Sequence, residues 1–157
     1  MRYFPAGHAM PDRNEHRSHQ RLQHYWESLR GVRPFPSEDQ IDSDAIADIW
    51  PSCFLVSIDA VTHRSGYRYS YLGQALIEAF GDDSGNPDIA LQLLSTRDAP
   101  MVEKFDQVRN SRAPAIDEAE FINGKNLTVK YRASLLPLGA QDTDVSHIIG
   151  CMRWKIC

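Results

Sequence analysis

Apolar residues follow a helical period near the start of the chain and a period of two further on. Leu22, Tyr25, Trp26 and Leu29 fall at i, i+3, i+4 and i+7. That spacing predicts an amphipathic helix over 16–31, with His16, Arg17, His19, Gln20, Gln23, His24 and Glu27 on a solvated back face. Gly31, Pro34 and Pro36 end it, and residues 1–15, with Pro5, Gly7, Pro11, Asp12 and Asn14, read as an irregular leader. A short second helix is expected next, capped by Asp42 or Ser43, carrying Ala45, Ile46 and Ile49, and stopped at Trp50-Pro51. From Cys53 the period changes. Phe54, Val56 and Ile58 alternate with Leu55, Ser57 and Asp59; after a turn at 63–66, Tyr67, Tyr69 and Tyr71 alternate with Arg68, Ser70 and Leu72. This predicts a β-hairpin.

Residues 73–112 return to a helical pattern. Ala75, Leu76, Ala79 and Phe80 form a short apolar face that stops at Gly81, and Asp82 to Pro87 form a loop. A further helix, capped by Thr96 or Asp98, holds Pro100 in its first turn and Met101, Phe105 and Val108 on one side. Three strands follow. Ile116–Ile122 leads to Asn123-Gly124, a two-residue hairpin signal. Leu127, Val129, Tyr131, Ala133 and Leu135 alternate as far as Pro137, and Val145–Ile156 closes the chain. Strands joined by short turns are antiparallel neighbours, and the helical block supplies the long crossover. The expectation is an α+β fold: a five-stranded antiparallel sheet in the order 2-1-5-4-3, helices on one face, and an added N-terminal amphipathic helix. Both strand parities carry apolar residues, so which parity faces inward is left open.

Composition narrows the function. The 157 residues hold 17 Lys+Arg against 21 Asp+Glu, a net charge of -4, with no clustered positive stripe after residue 33. Nucleic acid is therefore not an expected partner. No apolar run approaches the about 18 residues of a membrane span, and the N-terminus lacks a signal-peptide core. Cys53, Cys151 and Cys157 sit among apolar residues without metal-site or disulfide spacing, as expected of reduced thiols in a cytoplasmic protein.

Several stretches carry a family resemblance. Tyr25-Trp26-x-x-Leu29-Arg30 with Arg33-Pro34-x-Pro36, then Ile41-Asp42, Ile46, Trp50-Pro51 and Phe54-Leu55, precede Tyr67-Arg68-Tyr69-x-Tyr71-Leu72-Gly73. Gly73 and Gly81 bracket an apolar helix. Over about residues 20–156 the chain resembles a PAS domain, and in particular the small single-domain PAS proteins of alphaproteobacteria. Gly73 departs from the pattern, standing where many PAS domains have Asn. The resemblance implies a bacterial sensory or signalling module, often a homodimer, which acts through another protein chain. It divides the sequence into a leader with helix, 1–37, and a PAS-like domain, 38–157.

Candidate chemistry is sparse. No His lies between His63 and His147 to ligate haem, and no Cys lies within 54–150 to capture a flavin, so no cofactor is expected on these residues, and a non-covalently held flavin, which leaves no motif, stays open. His16, His19 and His24 have no spacing that converges on one metal ion, and no metal site is expected. Asp117, Glu118 and Glu120 cluster on the third strand, Asp117 in phase with Ala119 and Phe121; the carboxylates are assigned to a solvated side, with no catalytic role. A small-molecule pocket would lie between sheet and helices, near Phe54, Tyr69, Tyr71, Leu76, Phe80, Phe105 and Tyr131. The expected function is a non-enzymatic sensor that binds a partner protein, with a small ligand left open. The alternatives are a cone-shaped α+β enzyme of the nuclear-transport-factor type using an Asp base, and a ligand-free PAS scaffold. Leu22, Tyr25, Trp26 and Leu29 need cover, and a homodimer interface at this helix is the expectation.

Overall fold

The computed structural model describes residues 13–59, 66–79 and 100–157. Helix α1 (Arg13–Arg30) carries the amphipathic stripe. Leu22 and Trp26 are buried and Tyr25 and Leu29 half-buried, while Gln23, His24 and Glu27 stay in solvent. The helix ends where Gly31 adopts φ 57°, a left-handed conformation glycine tolerates without a Cβ clash.

The expected second helix is replaced by three 3-10 turns, Glu38–Gln40, Ser43–Ile46 and Trp50–Ser52. Asp42 does cap, accepting from the Asp44 N–H at 3.0 Å. Ile46 and Ile49 are three residues apart, so a tight turn buries both, and Pro51 prevents extension into an α-helix.

The sheet comprises β1 (Cys53–Ile58), β2 (Tyr67–Leu72), β3 (Ala115–Ile122), β4 (Thr128–Leu138) and β5 (His147–Ile156). Its order is β2-β1-β5-β4-β3, with every pair antiparallel, as the strand spacing predicts. Among the described residues the crossover carries two helices, α2 (Gln74–Ala79) and α3 (Pro100–Ser111). The turn residues 60–65, with His63, and the middle of the crossover, 80–99, with Phe80 and Gly81, lie outside the described residues. The β3–β4 connection is longer than a two-residue turn. Asn123 accepts from the Lys125 and Leu127 N–H groups at 2.9 and 3.0 Å, and Asn126 takes the left-handed conformation at φ 63°.

Residues directly opposite across a strand pair share a face. Cys53, Leu55, Ile149, Cys151, Ser134 and Leu136 therefore lie on one side, and Phe54, Val56, Ile148, Met152 and Tyr131 on the other. Helix α1 covers the first, outer side. Trp26 Nε1 donates to the Pro137 carbonyl at 2.9 Å, and His19 Nδ1 meets Ser134 Oγ. His19 is thus part of the helix–sheet contact and not of a solvated back face. Helix α3 packs on the second, inner side, where Phe105 contacts Phe54 and Tyr67.

Candidate functional site

The inner face carries a group of aromatic side chains. Phe54 meets Tyr69 edge-on at 5.8 Å between ring centroids, and Phe105 lies 6.4 Å from Phe54 and 5.1 Å from Tyr67. On the far strands, Phe121 packs 6.0 Å from Tyr131. Phe54 lies flat on the backbone of its β5 partner, Gly150, where a Cβ would come within 2.2 Å of the ring. A similar close approach accounts for Gly73: its Cβ would sit 2.2 Å from the Pro51 carbonyl oxygen, so the Asn of many PAS domains does not fit here. The Gly73 N–H instead donates to the Cys53 carbonyl at 2.9 Å.

Three polar groups enter this face from three strands. Asp117 on β3 is only 3% exposed, and its carboxylate accepts the Tyr131 hydroxyl of β4 at 2.7 Å. Burial, then the hydrogen bond to Asp117, push the Tyr131 phenol well above its ordinary pKa. Tyr69 on β2 is pushed upward too, first by burial and then by the charge of Asp117. Its hydroxyl has the weak thioether acceptor of Met101 at 3.7 Å. Nearby, Tyr67 donates to Asp106 Oδ1 at 2.5 Å and ties β2 to α3; burial and that carboxylate raise its pKa.

Among the pocket residues expected from sequence, Phe54, Tyr69, Leu76, Phe105 and Tyr131 join one core. Tyr71 does not line the inner face. A β-bulge between Leu55 and Val56 leaves Ser70 unpaired, so Tyr69 opposes Val56 while Tyr71 opposes Leu55. The bulge turns Tyr71 to the outer side, where it stacks on Trp50 at 4.2 Å and donates to the Trp50 carbonyl at 2.9 Å. Phe80 lies outside the described residues. Asp117 is the residue the pattern assigned to the solvent side. Glu118 and Glu120 are exposed, but Asp117 is not. Its phase with Ala119 and Phe121 was the available signal.

Of the four residues expected at a dimer interface, Leu22 and Trp26 are spent within the chain, and Tyr25 and Leu29 are half-buried. Leu22 is fully buried and Trp26 is 3% exposed, with the Arg30 guanidinium 5.6 Å from the Trp26 ring. The Tyr25 hydroxyl accepts from the Asp42 N–H at 2.7 Å. Leu22 and Trp26 therefore face their own sheet and have no surface left for a second copy.

Elsewhere, Cys53 and Cys151 are buried opposite each other on β1 and β5, and Cys157 is exposed. The Cys53 thiol is raised, first by its hydrogen bond with Cys151 and then by burial. His147 is half-buried, and its imidazole is lowered mainly by that burial. A shallow cleft of about 250 Å³ runs along β3–β4, lined by Glu118, Ala119, Glu120, Lys130 and Tyr131. No group of three or more His, Cys, Asp or Glu side chains is placed to hold a metal ion among the described residues. Among the same residues, no helix is long and apolar enough to cross a membrane.

Comparison with curated proteins gives no match. Among solved structures, similarity is to the PAS domain of the fruit-fly ELK potassium channel, at 10% identity and TM-score 0.46, covering 72% of this chain and 96% of that one. The PAS domain of Bordetella pertussis BvgS is 14% identical with TM-score 0.42, covering 88% and 87%. A variant of the fungal photoreceptor VVD is 14% identical with TM-score 0.43, covering 66% and 77%. The family profile described as PAS domain matches residues 14–153. That match spans well over half of the sequence, and the chain belongs to the PAS domain family.

Proposed function

We propose that this PAS domain is a cytoplasmic sensory module that takes a small molecule on the inner face of its sheet and passes the signal to a partner protein, without catalysing a reaction. The family is one of sensory and signalling modules, generally non-catalytic. The observation that carries the ligand reading is Asp117. A carboxylate 3% exposed, among aromatic rings, costs stability that an apolar residue would not. Such a group is retained for specificity when something must be recognised there.

The partner reading fits the resemblance to small single-domain PAS proteins of alphaproteobacteria. In this reading a homodimer, if formed, uses surfaces other than Leu22 and Trp26. The second reading is a ligand-free scaffold, favoured by the mutual contacts of Phe54, Tyr67, Tyr69 and Phe105. The cone-shaped enzyme alternative is dropped in favour of the family to which the chain belongs.

Native mass spectrometry of protein purified from its own cells, with pull-down from the same lysate, tests the proposal. A stoichiometric small molecule released on denaturation and a reproducibly captured signalling protein are expected. Protein of apo mass that still captures a partner would establish the scaffold instead.

A further inference from the structure

The inner face also suggests what kind of molecule it takes, an inference that rests on reading that face as a ligand site. We infer that Asp117, with Tyr131 and Tyr69 beside it, binds the ammonium group of a small amine whose apolar body lies against the aromatic rings. The carboxylate has about four lone-pair sites, and Tyr131 donates to one oxygen at 2.7 Å. Among the described residues, no Lys, Arg or His forms an ion pair with Asp117. The nearby Arg132 instead sits 3.2 Å from Glu118, the exposed neighbour of Asp117. A buried carboxylate is costly, and an ammonium ligand would bring both an opposite charge and hydrogen-bond donors to it.

A purely architectural role explains the charge poorly. β3 and β4 pair without interruption from Ala115↔Leu135 to Ile122↔Thr128, so the strands do not depend on this contact. An Asn would also accept the Tyr131 hydroxyl, more weakly but without burying a charge. The surroundings also favour a cation. Phe54, Tyr69, Phe121 and Tyr131 share this face, and aromatic ring faces attract positive charge. Among the described residues the Tyr69 hydroxyl has only the Met101 thioether as acceptor, and it is placed to orient the same ligand. An anionic ligand would meet the repulsion of the carboxylate.

The probes are benzylamine, an ammonium ion at pH 7, and benzyl alcohol, its neutral analogue of similar shape. Each is titrated calorimetrically into the full chain, its Asp117→Asn variant and, as a control on the opposite side of β3, Glu118→Gln. Benzylamine should bind the wild type and Glu118→Gln at least about tenfold more tightly than benzyl alcohol, a difference of about 1.4 kcal/mol. Asp117→Asn should lose that preference while still unfolding cooperatively. Should that variant not fold, the wild-type comparison decides alone. Equal affinity for the two probes would overturn the amine inference and leave a ligand site standing. Binding of neither probe would overturn both the inference and the ligand reading of this face.

Discussion

The two faces of the sheet are buried by different means. On the outer face the chain covers itself: α1 packs on β4 and β5 with Leu22 and Trp26 buried, and the Trp26 indole N–H finds the Pro137 carbonyl. This is ordinary core construction, with apolar area removed from water and the buried donor satisfied. The inner face holds the rings of Phe54, Phe105 and Phe121 and, among them, Asp117, Tyr131 and Tyr69. One face is optimised for closure, while the other keeps groups that closure alone would replace. The contrast supports the proposal of a ligand site on the inner side and takes Leu22 and Trp26, though not the exposed face of α1, off the list of free surfaces.

The largest effect is expected on the closed face. Trp26→Ala removes a buried ring and strands the Pro137 carbonyl, and should cost about 3–5 kcal/mol in urea unfolding. If α1 were instead poised to dock on a second copy, the loss would be small in dilute monomer. On the inner face, Gly150→Ala drives a methyl group into the Phe54 ring and should cost about 1–3 kcal/mol by the same measurement. Asp117→Asn reverses the sign. By removing a buried charge while keeping an acceptor for Tyr131, it should raise stability by about 1 kcal/mol. A marked loss would make Asp117 a structural anchor and erase the contrast between the faces.

The smallest effect appears only in alkali. Tyr67, Tyr69 and Tyr131 have raised pKa values in the fold, so the stability linked to them is complete below the ordinary phenol range and is lost as pH rises through the raised values. Tyrosinate absorbance from these residues should appear together with loss of circular dichroism. Ionisation of all tyrosines near pH 10 with the fold intact would contradict the burial assigned to them.

Most of the topology was legible because it depends on turn length and period. Three short connections and one long crossover leave few ways to arrange five antiparallel strands, and the order 2-1-5-4-3 is among them. The site was legible only in part. Phe54, Tyr69, Phe105 and Tyr131 are large apolar-bodied residues in phase with their strands, and they meet. Tyr71 has the same phase as Tyr69 yet points the other way, since one unpaired residue, Ser70, inverts everything after it and leaves no compositional mark. Asp117 was hidden differently. β3 alternates in a way that lets either parity face the core, and a carboxylate biases the choice toward water. Only the pairing Asp117↔Ala133, beside the buried Tyr131, puts it inside. The helix stripe was plain in the sequence, but what covers it is a question of tertiary packing that periodicity does not answer.

On the function proposed, the inner face receives a ligand while α1 closes the outer face. Backbone amide NMR of the labelled full chain during benzylamine titration tests it most directly. Shifts should centre on Tyr69, Asp117, Ala119 and Tyr131, saturate with a single binding isotherm, and leave Leu22, Trp26 and Leu136 unmoved. Shifts concentrated on α1 and the outer strands, with Asp117 and Tyr131 unmoved, would contradict it.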